Sequence, residues 1–558
     1  MEPLIVIVLG LLGIAAAAAV APRIGVAAPL LLVLSGIAVS LLPVVPPVHV
    51  EPEWVLAGVL PPLLYSAAVS MPAMDFRREF RAIGGLSVVL VVVSALVIGW
   101  SATLLVPGLP FAWGVALGAV VSPTDAVATS IVARLGVSPR VVAVLEGEGL
   151  LNDATALVLL RTAVAGAAAS VSLGGVLGDF LFAVVGAAAI GFAVGHLDLL
   201  VRSRVRDATV NTVLSFTVPF LASLPAEQVG ASGLVAAVVA GLVTGHGAPR
   251  VLSPQHRLSD AQNWRTVELV LEGAVFLATG LQLVTVVQDV RADHAGIGTA
   301  VAVAAAALAL SVVVRAAYVA PLLAGLQRRA RRGGAQRERI VLMQDQLTDP
   351  ATAATAFDRP GARPRRRPTP SAGQLERMRT RVRRLVADID FFLAAPLGWR
   401  DGAVVVWAGM RGAVTVAAAQ TIPEDAPSRS LLVLVAFLVA IASLLLQGGT
   451  LPRLVRVLGA APGEPGHAAA DERTALHELL ERTAAEATAA HRAAADDRAP
   501  GAADDDEKAL GVAVVTAQRL ALLDARDDGT YSAGALNAAL AVLDAEQISL
   551  ELRGAPAG

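Results

Sequence analysis

The chain has 558 residues, of which 55% are hydrophobic and 16% charged, and a formal net charge of −2. Soluble domains carry nearer a quarter charged residues, so this is a membrane composition, with length for about a dozen spanning helices and a soluble appendage. The near-neutral charge argues against a nucleic-acid partner, and the absence of cysteine excludes disulfides and thiolate metal sites.

The N-terminal apolar run lacks a basic flank, and Glu2 stands where a signal peptide would carry Lys or Arg, so the run reads as a first spanning helix. Apolar runs of spanning length then recur at 3–20, 25–42, 54–72, 84–106, 111–134, 140–164, 177–200, 208–223, 229–246, 265–286, 296–323, 402–420 and 430–451. Alternate loops hold arginine: Arg23; Arg77, Arg78 and Arg81; Arg134 and Arg140; Arg202, Arg204 and Arg206; Arg250, Arg257 and Arg265; then the segment 325–400. The loops between them hold none, apart from Arg291 and Arg429. The positive-inside rule places the N-terminus outside and the C-terminus in the cytoplasm.

The segment 325–400 reads as an Arg-rich cytoplasmic loop, broken by prolines around Arg363–Pro368, with one amphipathic helix at 373–393. That helix either lies on anionic lipid or is part of a solvated insertion. From about residue 462 the chain reads as a soluble tail of three helices, 469–494, 507–524 and 533–552. Asp504–Asp506 fall in the first break, Asp527-Asp528-Gly529 in the second, and Ser532 caps the last helix.

Carboxylates inside spans cost several kcal/mol and are functional candidates by default. The fifth span reads Val121-Ser122-Pro123-Thr124-Asp125, the sixth Glu146-Gly147-Glu148-Gly149-Leu150-Leu151-Asn152-Asp153. At helical rise Asp125 lies roughly 14 Å, and Asp153 roughly 20 Å, above the cytoplasmic edge, both near mid-membrane. Pro123 cannot donate a backbone hydrogen bond and disfavours helix at Ser122, so the fifth span is expected to break there and expose carbonyls to a cation. Oxygen ligands from Asp, Thr, Asn and main chain suit a hard monovalent cation. Burial disfavours the charged carboxylate, so one group can hold either a proton or a cation, and that competition suffices for coupled exchange. The alternative role is a buried pair with arginine that only positions helices, and for Glu146, close to the cytoplasmic edge, the two readings stand level.

The twelfth span holds Arg411 between Gly409 and Gly412, which predicts a second broken helix and a partner for the arginine. With spans 1–6 and 8–13 as repeats, the broken spans are equivalent and run in opposite directions, the inverted-repeat design of many transporters. Glu272, Arg161 and Arg315 are the remaining intramembrane charges. No phosphate-binding glycine loop or histidine cluster marks an enzyme, and no cofactor is expected. A channel would need a continuous wet pore, whereas one compact carboxylate site favours alternating access; a membrane sensor read through the tail is the other alternative.

Glu148-Gly149-Leu150-Leu151-Asn152-Asp153-Ala154 resembles the signature of the monovalent cation/proton antiporter family, in its bacterial NhaP-type and animal sodium/proton exchanger branch. Pro61-Pro62-Leu63-Leu64-Tyr65, Ser122–Asp125, Gly280-Leu281-Gln282, Gly409–Ala413 and Gln447–Pro452 match further family segments in the family's order. The resemblance covers about residues 1–460. It implies a homodimer in the bacterial inner membrane, a 13-helix fold with a six-helix ion-carrying core, and sodium or another monovalent cation exchanged for protons. It implies that Asp153 carries the ion, that Asn152 supports it, that Thr124 and Asp125 line the site, and that Glu148 pairs with Arg411. An Asn before the Asp implies electroneutral exchange. Glu272 and Glu146 stand as auxiliary candidates. Two positions depart from the family: Gly149 replaces a usual Ser, and Ser66 a common acidic residue.

Overall fold

The computed structural model describes residues 2–43, 50–168, 173–293, 296–347, 371–460, 467–495 and 503–552. All regular structure among the described residues is helix, with no strand. In chain order the first helices are α1 (Glu2–Ile24), α2 (Ala28–Ser40), α3 (Leu60–Ser70), α4 (Ala73–Gly84), α5 (Val91–Leu105), α6 (Phe111–Val121), α7 (Val127–Arg134) and α8 (Pro139–Ala168). Then follow α9 (Leu173–Arg202), α10 (Ala208–Gln228), α11 (Gly233–Val251), α12 (Pro254–Ala292), α13 (Ile297–Gln346), α14 (Ala372–Ala394), α15 (Trp399–Trp407), α16 (Ala413–Gln420), α17 (Arg429–Ser443) and α18 (Gly449–Leu458). The tail holds α19 (His467–Ala495), α20 (Ala503–Asp528) and α21 (Ala533–Leu552). Wider π turns at Trp54–Val59, Gly85–Leu90 and Leu444–Gly448 lead into α3, α5 and α18.

Among the described residues nine helical stretches are long and apolar enough to cross a membrane. The other expected spans fall on shorter or broken helices, at 28–40, 54–70, 111–134 and 399–420. In lipid every backbone polar group needs an internal partner, which is why these runs are helices. Asp207 and Ser232 accept from the first turns of α10 and α11, capping each.

Two compact units are present. The first comprises Met1–Leu252, His256–Leu322 and Gly398–Pro462. In it, α8 contributes to two apolar clusters: Leu160 joins one with Ile98, Leu117, Val121, Leu432 and Phe437, and Leu150 joins the other with Tyr65, Ile83 and Trp264. Gly280 lies so close to the Val33 carbonyl that an added Cβ would overlap it, so α2 and α12 touch backbone to backbone. Leu4, Ile5, Leu9, Leu181, Phe182 and Val185 are exposed, the outward face that hydrocarbon would cover. Buried charges outside the central site are paired: Arg140 with Glu79 at 2.7 Å, and Arg202 with Asn211, Asp198 and Asp260. Arg161 is largely exposed and pairs with Glu227 at 2.9 Å.

The second unit gathers Ser253–Gln255, Leu323–Leu397 and the tail from Gly463. Residues 325–346, expected as loop, continue α13 as helix. The proline-broken stretch around 363–368 lies outside the described residues. The amphipathic helix expected at 373–393 is present as α14, opened by a Ser371–Gln374 capping box. Its Arg384 donates to the Asp527 carbonyl at 2.6 Å and its Arg383 meets Asp528 at 3.3 Å, so α14 is tied to the tail. Leu476, Val515, Leu522, Leu523, Leu536, Leu540 and Leu543 form the tail's core. Residues 504–506, expected in a break, instead lie in the first turn of α20. Gly529, at φ 75°, ends it, and Ser532 caps α21 at 3.3 Å as expected.

Candidate ion-binding site

The fifth and twelfth spans break as the sequence predicts, at 122–126 between α6 and α7 and at 408–412 between α15 and α16. The breaks cross: the Asp125 N–H donates to the Met410 carbonyl at 2.8 Å. A crossing of two broken helices brings four helix ends together, each with unsatisfied backbone groups and a partial charge. Arg411 answers the negative ends. Its Nε donates to Val121 O at 2.8 Å, at the end of α6, and its Nη1 donates to Gly409 O, just past the end of α15. Its own N–H donates to Ser443 Oγ at 2.9 Å. Asp125 answers the positive ends: it lies two residues before α7, and its carboxylate sits against Gly412, the residue before α16. An added Cβ at Gly412 would overlap that carboxylate, so glycine is required there for the approach.

The expected Glu148–Arg411 pair is therefore replaced. Glu148 is held by Arg315 of α13, which donates to Oε1 at 2.5 Å and to Oε2 at 2.7 Å. The Arg315 Nε also donates to Val405 O at 2.8 Å. Both partners are about 2% exposed. A planar guanidinium fork matches a carboxylate bidentately, and this geometry leaves Arg411 to the helix ends. The sequence places three arginines, Arg161, Arg315 and Arg411, inside spans, and nothing in its spacing says which of them reaches Glu148.

Behind the break a chain of hydrogen bonds fixes the carboxylates. The Asn152 Nδ2 donates to Thr124 O at 3.0 Å and to Thr124 Oγ1 at 2.8 Å. Thr124 Oγ1 in turn donates to Glu148 Oε1 at 3.1 Å. Asn152 thus pins the unwound segment to α8 one residue before Asp153. Ser87, in the π turn before α5, donates to Glu148 O at 3.2 Å.

Asp153, Asp125 and Thr124 line one cavity of about 380 Å³, together with Gly149, Thr415, Glu146, Glu268 and Glu272. One carboxylate oxygen of Asp125 and one of Asp153 are buried and without a hydrogen-bond partner, as is Thr415 Oγ1. Glu272 and Glu146 thus stand in the same space as the central pair, while Asn152 and Glu148 support it from behind. Thr415 and Glu268 were missed from sequence; a hydroxyl four residues after Arg411 in the broken span was the available signal for Thr415. Ser66, the second departure, lines a different cavity, with Tyr65, Arg202 and Asp260. Oxygen atoms alone converge, the donor set of a hard cation.

A family model described as sodium/hydrogen exchanger, transmembrane, matches residues 7–347 and 382–457. An uncharacterized Na(+)/H(+) exchanger of Mycobacterium tuberculosis is 29% identical over 442 residues, 78% of this chain and 70% of that protein. The uncharacterized Na(+)/H(+) exchanger YjcE of Escherichia coli is 39% identical over 246 residues, 42% of this chain and 45% of that protein. Among solved structures, the sodium proton antiporter MjNhaP1 of Methanocaldococcus jannaschii shares the fold, with TM-score 0.56 at 15% identity over 82% of this chain and 100% of that one. The match spans both broken helices and the carboxylates between them: the chain belongs to the sodium/hydrogen exchanger, transmembrane family and is a multi-pass cation/proton antiporter.

Proposed function

We propose that Asp153 is the carrier, holding a proton or a monovalent cation by turns, with Asp125 and Thr124 as further oxygen ligands. One observation carries this reading: both carboxylates line one cavity and each has a buried oxygen without a hydrogen-bond partner, whereas Glu148 is committed to Arg315. Asn152 holds Thr124 in place, and Glu146 and Glu272 attract cations along the way in. The arginine alternation supports the N-terminus outside and the C-terminus in the cytoplasm of a bacterial inner membrane. Ser130, Ala133 and Glu146, which flank the Arg134–Arg140 loop, line the cavity, so it faces the cytoplasm in that orientation. The resemblance supports a homodimer. Proton flux in proteoliposomes, with sodium, potassium and lithium offered in turn, tests the reading; no cation-dependent flux overturns it.

Potassium is the second reading. Gly149 lines the cavity without a side chain, so the site is drawn in less tightly around a small ion. An added Cβ at Gly149 meets nothing within 4 Å, so a serine fits. Gly149→Ser is expected to tighten apparent cation affinity, because a fixed hydroxyl supplies a ligand that a water would otherwise have to supply. The apparent affinity for each cation, measured from flux, checks this; no change for any of them means residue 149 does not face the ion.

One carboxylate exchanging one proton for one monovalent ion moves no net charge. Exchange is therefore expected to be electroneutral, and an ion gradient at equilibrium under a clamped potential should not shift with that potential. A shift contradicts the single-carrier stoichiometry.

A further inference from the structure

A second cavity, of about 180 Å³, lies farther along α12 and α16 and is lined by Val50, Pro52, Gln282, Thr285, Asp289, Gln420 and Arg429 among others. Three segments read in the same order from one cavity to the other. On α12, Glu268 and Glu272 line the ion cavity, Val275 follows in an apolar cluster, and Gln282, Thr285 and Asp289 line the second cavity. On α16, Thr415 lines the first, Ala417 joins the cluster and Gln420 lines the second. Before and along α3 the order runs backwards in chain direction: Val50 and Pro52, then Val55, then Leu60, Leu64 and Ser70. The apolar layer of Val55, Val275 and Ala417 therefore separates two polar spaces. From Glu272 to Gln282 is about 15 Å of helix rise, and from Thr415 to Gln420 about 8 Å, so the partition is only a few turns thick.

On the far side of that layer the Gln420 side chain donates to Gln282 Oε1, joining α16 to α12. Gln282 is buried, and Arg429 ties the end of α16 by donating to Gln420 O at 3.1 Å and Ile422 O at 2.8 Å. A helix pair sealed by one side-chain bond over a thin apolar layer is able to part without breaking buried charges, whereas the Glu148–Arg315 pair is not in its path.

We infer that the Gln282–Gln420 pair is the latch of the second gate: exchange requires α16 to part from α12 there, so that Asp153 meets the second cavity in place of the first. The inference rests on the reading of Asp153 as carrier. Gln282 and Gln420 are positioning residues and do not touch the ion in the closed arrangement.

The chain has no cysteine, so Gln282→Cys/Gln420→Cys introduces the only thiols. Sodium-driven proton flux is measured in proteoliposomes before oxidation, after a mild oxidant and after reductant, with the two single variants as controls. Thiol labelling of monomer-sized protein reports whether the bridge has formed. The expected result is flux in the reduced protein, loss of both thiols and of flux on oxidation, and recovery of both on reduction, with the single variants unaffected. Full flux in the bridged protein overturns the gate. Absence of flux in the unmodified chain overturns instead the reading of the protein as this exchanger. If the reduced double variant is inactive, or the two thiols do not join, Gln282→Asn/Gln420→Ala decides: wild-type accessibility of Gly149→Cys to an impermeant thiol reagent from both faces of the membrane, with that pair removed, overturns the latch, and a changed ratio supports it.

Discussion

Asp153→Asn is expected to reduce exchange to the level of protein-free vesicles while the protein still folds. The amide cannot take up and release a proton, so the coupling loses its carrier. Its shape is that of the carboxylic acid, and one buried Asp153 oxygen has no hydrogen-bond partner to lose. Burial of a neutral amide also costs less than burial of a carboxylate, so thermal stability should hold or rise. Flux and melting temperature of the purified variant check both halves. Asp125→Asn is a milder change if Asp125 serves only as ligand and as counter-charge to the ends of α7 and α16. Wild-type exchange by Asp153→Asn removes Asp153 from the mechanism.

Arg315→Ala is expected to destabilise the fold by roughly 3–5 kcal/mol, because it strands Glu148 as an uncompensated charge in the interior. It also removes the bond to Val405 O and leaves Thr124 as the remaining donor to Glu148 Oε1. Replacing both partners, as Arg315→Met with Glu148→Gln, should recover much of the loss, since no charge is then left alone. Thermal unfolding of the two variants and of Glu148→Gln, compared as a cycle, measures this coupling. A melting temperature for Arg315→Ala equal to the wild type's contradicts the pairing. Arg411→Ala acts differently: it uncovers the carbonyl ends of α6 and α15, and Glu148→Gln should not rescue it.

Much of this architecture was legible in the sequence, because a bilayer makes apolar length a direct signal of helix. Pro123 announced the first break through its missing donor, and the glycines around Arg411 announced the second. The grouping of Asp125 with Asp153 followed from depth along adjacent spans. The pairing of Glu148 was not legible from spacing, since Arg315 and Arg411 are both buried and only the packing decides which of them meets Glu148. The role of Arg411 was hidden for a related reason: its partners are backbone carbonyls at helix ends, which carry no side-chain signature. The limits of α13 were missed because its continuation at 325–346 is polar and reads as loop, although arginine and glutamine are good helix formers. The attachment of α14 to the tail rests on the Asp527 carbonyl and the Asp528 side chain, contacts between segments far apart in the chain.

The central claim is that proton and cation compete for one carboxylate. The direct measurement is proton release when sodium is added to the purified protein in weakly buffered solution, compared between wild type and Asp153→Asn. The account predicts release that saturates with sodium in the wild type and none in the variant. Equal release from Asp153→Asn, or cation binding without proton release in the wild type, contradicts it.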